Sequence, residues 1–265
     1  MPGRPYVLAE TTWKTVKETP YEVAILPWGA TEAHNYHLPY ATDVIQLDYI
    51  AAEAAGLAWE SGAKVVAMPT IPFGVQTGQL EVRLDINLYP STQQLILNDV
   101  ADSLVRQGVP KLVVLNGHGG NGFRQMVREL LAKHDLFVCC VDWFEVLDLG
   151  GYFEGGGDHA NEMETSMMQH IAPGLVLPLS EAGDGAVRPF KMKALREGWA
   201  WTQRSWLKAT YDTGTGDPSK STPEKGKRYL DDLTKELSSF FVELAEADVN
   251  DLYETDPQRA GRTKW

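Results

Sequence analysis

The chain is poor in cysteine, in basic residues and in long apolar runs, and each shortage removes a class of protein. Its only two cysteines, Cys139 and Cys140, are neighbours. Adjacent thiols cannot staple distant parts of a fold, so a disulfide framework is excluded and a reducing compartment fits. Lysine and arginine number 24 against 36 aspartates and glutamates, a formal net charge of −12. A phosphate backbone is repelled by such a chain unless a local basic patch compensates. The longest basic cluster, Lys225, Lys227 and Arg228, opens a helix and mixes with acids, which suits a solvated face. No apolar stretch approaches the roughly 20 residues that cross a bilayer, and Met1 to Trp13 hold no apolar signal core. The expectation is a cytoplasmic protein with no membrane and no nucleic-acid partner.

What is present is the composition of an ordinary globular domain. Hydrophobic residues make up 43% and charged residues 23% of 265 positions, enough to bury a sizeable core as one domain over residues 1–265. Short apolar runs at Val23 to Pro27, Lys64 to Met68, Leu112 to Leu115 and Phe137 to Val141 read as strands. Between them the apolar spacing of three and four residues predicts helices from Asp43 to Leu57, from the Ser91-Thr92 cap to Gln107 with Gly108 as the stop, and from Phe123 to His134. A last helix capped by Thr222 runs to about Asp248. Gly150 to Gly157 and Pro189 to Pro223 read as long functional loops. Alternating strands and helices predict an α/β fold, a mainly parallel sheet covered on both faces, with ligands beyond the carboxyl ends of the strands.

Four of the six histidines fall in three short motifs. In Gly29-Ala-Thr-Glu32-Ala-His34-Asn-Tyr-His37-Leu-Pro-Tyr-Ala-Thr-Asp43, Glu32 and His34 face one cavity if the chain is extended, and Asp43 returns from the next helix to bridge two ions. Carboxylate with imidazole suits zinc, manganese or iron. Against this stands a plain structural reading, with Asp43 a helix cap and His37 a satisfied core imidazole. The second motif, Asn116-Gly-His118-Gly-Gly-Asn121-Gly-Phe123, also satisfies the G-x-G-x-x-G dinucleotide fingerprint through Gly117, Gly119 and Gly122, with Asp142 about 20 residues on. The metal reading accounts better for a histidine between the glycines, with Asn116 and Asn121 holding the loop. In the third, Gly157-Asp158-His159-Ala-Asn-Glu162-Met-Glu164-Thr165-Ser166, His159 suits general acid/base work, while Glu164 can orient it, ligate metal or accept a proton. The alternative there is a helix start capped by Asp158 with Glu162 in the first turn.

Together these motifs resemble those of the creatininase (creatinine amidohydrolase) family: E-x-H-x-x-H-L-P-x-x-T-D, N-G-H-G-G-N and D-x-H-A-x-x-x-E-T-S. Gly214-Thr-Gly216-Asp-Pro218 and Glu224-Lys-Gly226 look like its C-terminal pieces, so the likeness runs from about residue 23 to 230. The resemblance implies a three-layer α/β/α sandwich, a homo-oligomer that is often a hexamer, and two divalent ions. Glu32 and His34 each serve one ion, Asp43 bridges, and His118 completes one site. Three departures bear on substrate. Gly120 stands where creatininase has a glutamate ligand, a loss Glu164 can supply; Asn35 stands where glycine is common; and Asp85-Ile-Asn-Leu-Tyr89-Pro90-Ser91-Thr92 replaces H-x-x-F-P-G-T.

The expected function is metal-dependent hydrolysis of an amide-type C–N bond in a small cyclic amide, formamide or peptide, with His159 and Glu164 catalytic and zinc ahead of manganese or iron. The three departures speak against creatinine itself as the substrate. The alternatives are hydrolysis of a ring C–C bond in an oxidised cyclitol, with Gln76, Gln79, Asp85 and Asn87 as polyol contacts, a nicotinamide-dependent oxidoreductase, and a non-catalytic metal-binding scaffold. Trp199, Trp201 and Trp206 are candidates for pocket lining, subunit contact or core.

Overall fold

A computed structural model describes residues 3–254. Four strands, β1 (Val23–Trp28), β2 (Val65–Ala67), β3 (Lys111–Asn116) and β4 (Phe137–Asp142), form a sheet of order β2-β1-β3-β4 with every neighbouring pair parallel. The long helices are α1 (Thr42–Glu60), α2 (Pro90–Gln107), α3 (Arg124–Lys133), α4 (Glu162–Ile171) and α5 (Pro223–Glu246).

Every residue of β1 is buried because both of its faces are covered. Val23 and Ile25 join Leu47 and Ile50 of α1 and Tyr229 and Phe241 of α5 in one cluster. Ala24, Leu26 and Trp28 join Leu97 of α2 and Met126 and Leu130 of α3 in the other. This alternation across a period-two strand makes the three-layer α/β/α sandwich, with α1, α4 and α5 on one side and α2 and α3 on the other. The chain steps from β1 outward to β2 and then back past β1 to β3. Strand order therefore reverses between β1 and β3, and a crevice opens beyond their carboxyl ends. The first two histidine motifs leave the sheet at these two strand ends.

Sequence and structure part at some boundaries. Helix α2 starts at Pro90 with Tyr89 in the capping position and no side-chain cap, so Ser91 and Thr92 lie within its first turn; proline supplies a preset φ there instead. Gly108 ends that helix in the left-handed region at φ 74°. Thr222 caps α5 as expected, accepting from the Lys225 amide at 3.2 Å, and the helix ends at Glu246. Helices α4 and α5 meet where Gly226 faces the Ser166 carbonyl, so closely that a Cβ would collide with it. The Ser166 hydroxyl accepts from the Thr222 amide at 3.1 Å at the same junction.

Candidate metal centre

After β1 the chain turns at Gly29, where a Cβ would stand 3.1 Å from that of Asp43. Glu32 and His34 follow, and Asp43 sits in the first turn of α1. Asn35 takes the left-handed conformation at φ 55°, which asparagine tolerates better than other residues with a Cβ; this accounts for its standing where glycine is common. Its side chain accepts from the Gly183 amide at 2.8 Å and donates to the Gly183 carbonyl at 3.1 Å, while its own amide donates to Thr213 Oγ1 at 2.9 Å. One residue thereby ties the ligand segment to two distant loops.

After β3, Asn116 and Asn121 hold the loop as expected. Asn116 accepts from the His118 amide at 3.1 Å and donates to the His118 carbonyl at 3.0 Å, and Asn121 donates to Asn116 at 2.9 Å. At Gly120 a Cβ would collide with the Val75 carbonyl and lie 2.5 Å from His118 Nε2. Asp142 accepts from Asn116 at 2.7 Å, so the acid about 20 residues past the glycines holds the histidine loop through one of its oxygens.

In the third motif the helix cap is Asn161, which accepts from the Glu164 amide at 3.2 Å, and not Asp158. Asp158 pairs with Arg204 at 2.9 Å, and Glu162 pairs with Lys225 at 2.5 Å. The Ala160 amide, strained at φ 50°, donates to the Glu164 carboxylate. His159 Nε2 donates to the Ala33 carbonyl at 2.8 Å. Its orienting partner is therefore a backbone oxygen of the first motif rather than Glu164.

These loops bring Glu32, His34, Asp43, His118, His159 and Glu164 into one buried cluster. Three sets can each grip a cation, with ligand atoms within 4.8 Å of one another: Glu32, Asp43 and His118; His34, Asp43 and Glu164; and Glu32, His34 and His159. Asp43 Oδ1 lies 2.9 Å from His34 Nε2 and Asp43 Oδ2 3.3 Å from His118 Nδ1. Glu32 Oε1 lies 2.8 Å from His118 Nδ1 and 3.8 Å from His159 Nδ1. His37 stays outside: it is buried on Thr165 Oγ1 at 2.8 Å, and burial with the nearby His34 pushes its imidazole down to about 4. It is a neutral core histidine.

The donor set fits metal ions. Each imidazole gives its outer nitrogen to a backbone carbonyl and turns the other inward: His34 Nδ1 to Glu32 at 3.1 Å, His118 Nε2 to Val75 at 3.1 Å, and His159 as above. Such anchoring sets tautomer and ring orientation at metal sites. Asp43 Oδ2 is buried and makes no hydrogen bond, with His118 Nδ1 nearby at 3.3 Å, an arrangement that costs free energy unless a proton or a cation meets it. Burial opposes charge throughout, yet the neighbours outweigh it. Asp43 carries His34 up to about 10, Glu32 and Asp43 raise His118, and the imidazoles hold Glu32 and Asp43 below the usual carboxylate range. For Glu164 burial prevails and its carboxyl is raised. Carboxylates packed this tightly need positive charge among them, as protons or as cations.

The cluster floors a cavity of about 440 Å³, within the range of small-molecule sites. Trp206 is buried with its ring edge-on to His159 at 5.2 Å, Trp201 lines the cavity at 84% exposure, and Trp199, 75% exposed, does not line it. Asp85 accepts from the Ala33 amide at 2.8 Å through Oδ1 and Asn87 from the Gln76 amide at 2.7 Å. Neither lines the cavity, so the cyclitol reading loses two of its four proposed contacts. Sequence reasoning missed the roles of Gln79, which donates to the Glu32 carboxylate, and of Arg204; glutamine and arginine in irregular loops carry no spacing signal.

A doubly covered parallel sheet with a buried carboxylate–imidazole centre at its switch point is the build of a metal-dependent hydrolase. The creatinine amidohydrolase (creatininase) family profile matches residues 9–241, and the chain belongs to that family. It is 47% identical to a Bacteroides fragilis candidate creatinine amidohydrolase of known crystal structure, with a TM-score of 0.89, covering 94% of this chain and 99% of that one. It is 28% identical over 246 residues to a mycofactocin precursor peptide peptidase of Mycobacterium ulcerans, 88% of this chain and 90% of the relative. A creatininase variant complexed with creatine shares the fold at 21% identity and TM-score 0.73, covering 92% and 100%; further creatininase structures are of zinc and manganese forms.

Proposed function

We propose that this chain hydrolyses an amide-type C–N bond of a small cyclic amide, formamide or peptide, with Glu32, His34, Asp43, His118 and Glu164 holding two divalent cations. The observation that carries the reading is the division of Asp43 between two ligand groups, one oxygen toward His34 and the other toward His118. Zinc leads and manganese follows, in line with the creatininase forms; iron is the third choice on donor chemistry. When bound, the ions supply a Lewis acid for the substrate carbonyl and an acidified water.

The chain's own groups do the rest. Glu32, Asp43 and Glu164 offset most of the cationic charge and leave a surplus for an oxyanion that develops on the carbonyl. His159, with Nε2–H held on the Ala33 carbonyl, keeps the Nδ1 lone pair toward the centre, where it takes the proton given up by the attacking water and passes it to the leaving nitrogen as the C–N bond breaks. Glu164 serves as ligand, since the Ala160 amide fixes its carboxylate. Trp206 packs behind His159 and excludes water from that side. The same reading takes residues 1–265 as one domain of a cytoplasmic homo-oligomer, a hexamer as the family resemblance implies.

Elemental analysis of the purified protein, joined to a turnover screen of lactams, formamides, short peptides and oxidised cyclitols, tests this. Release of amine or a new carboxylate from an amide, lost on chelation and restored by metal, is the expected result. Opening of a cyclitol ring with no amide turned over would overturn the choice of bond.

A further inference from the structure

Gln79 lies on the long irregular connection between β2 and α2, and 6% of it is exposed. Its Nε2 donates to Glu32 Oε2. The orientation of this amide is settled by chemistry: a carboxylate only accepts, so the NH₂ group must face it and the carbonyl must face away. That carbonyl oxygen, Oε1, is buried with no donor. An orphaned buried acceptor costs about 1–3 kcal/mol, and a leucine of similar size would avoid the cost. The amide therefore does not serve packing, and the one bond that it makes is to Glu32.

The root of the side chain is equally fixed. The Gln79 amide donates to the Gln76 carbonyl at 2.9 Å, and the Gln79 carbonyl accepts from Val82 at 2.8 Å. Next to it, the Gly78 carbonyl accepts from the Trp206 amide at 2.9 Å, and a Cβ on Gly78 would collide with the Arg204 carbonyl. The segment that bears Gln79 is thus clamped under the residues that roof the cavity and pack on His159.

We propose that Gln79 is a positioning residue that holds one oxygen of Glu32 out of the metal centre, so that Glu32 grips its cation through Oε1 alone and leaves a coordination position open. The inference rests on the metal-centre reading above. Its geometric content is the partition of one carboxylate: Oε1 faces His118 at 2.8 Å and His159 at 3.8 Å, while Oε2 is held by the glutamine. Without that donor Glu32 is free to turn, to chelate through both oxygens and to fill the position that catalytic sites keep open.

The test uses the full chain loaded with zinc and titrated against a competing chelator, with cobalt substitution as a spectroscopic readout of coordination. Wild-type protein is expected to bind two ions; fewer would sink the underlying metal reading and not this inference alone. In Gln79→Leu and Gln79→Met the cobalt spectrum should weaken toward that of a higher coordination number, and the affinity for one ion should change by about 10- to 100-fold, the usual size of the effect of altering an outer partner of a ligand. The other ion should stay within threefold. Gln76→Leu is the control: this glutamine shares the loop and has an orphaned oxygen, but it donates to the Thr31 carbonyl, so both ions should stay within threefold of wild type. Unchanged affinities and spectra in both Gln79 variants would overturn the proposal. So would an equal loss of both ions alongside a lowered melting temperature of the metal-free protein, because that pattern reports general loosening.

Discussion

His118 Nδ1 lies 2.8 Å from Glu32 Oε1, although the two side chains hang from loops that follow different strands. The contact exists because β1 and β3 are neighbours in the sheet and Trp28 is in register with Asn116, so both loops leave at one level. His118→Ala should therefore release the ion shared with Glu32 and leave the one gripped by His34, Asp43 and Glu164. Metal content by elemental analysis checks this, with a fall from two ions per chain to about one expected.

Glycine at position 120 separates this chain from creatininase, and the structure gives a steric reason for it. Gly120→Glu should not rebuild a better centre. Its Cβ meets the Val75 carbonyl and His118 Nε2, and overpacking of this kind costs about 1–3 kcal/mol. A lower melting temperature together with reduced metal content is the expected outcome, read by calorimetry and elemental analysis on one preparation.

Lys111 opens β3 and is buried, with Nζ donating to the carbonyls of Leu244, Ala245 and Ala247 at 2.7, 2.8 and 2.8 Å. It closes the C-terminal end of α5, where carbonyls lack helical partners. Lys111→Met leaves buried acceptors unpaired, and a loss of about 3 kcal/mol in urea unfolding is expected. Metal stoichiometry should not change, since the site lies at the opposite end of the strand.

Much of this architecture is legible in the sequence. Apolar runs and helical spacing locate the four strands and four of the five long helices, α4 having entered only as the helix start beside the third motif, and the three histidine motifs point to one centre because each leaves a strand end or a tight loop. The parts that were not legible depend on contacts far apart in the chain. Pro90 supplants the Ser91-Thr92 cap, Asn161 supplants Asp158, and His159 is aimed by the Ala33 carbonyl. Backbone carbonyls carry no side-chain signature, so no spacing rule could have chosen that partner. Asn35 carries a signal that went unread: it counts at the sequence level as a departure bearing on substrate, whereas asparagine in place of glycine is itself a sign of left-handed backbone, and Asn35 stands at φ 55°.

Glu162 gives a pH dependence whose sign can be worked out. Burial raises its pKa, but Lys225 and the amides of Glu154 and Gly155 outweigh this and hold it below the usual range. A depressed folded-state pKa adds stability above the unfolded value of about 4.3, and that stability is lost as pH falls through the folded value. Glu162→Gln should thus be less stable than wild type at pH 7, with the gap narrowing below about pH 4. Urea midpoints across this range measure it; a gap that stays constant would contradict the assignment.

The most direct measurement is the metal stoichiometry of Asp43→Ala beside wild type, each purified metal-free and reloaded with zinc. If Asp43 joins two ligand groups, wild type holds two ions per chain and the variant loses both. Retention of two ions by the variant would contradict the shared centre on which the proposed hydrolysis depends.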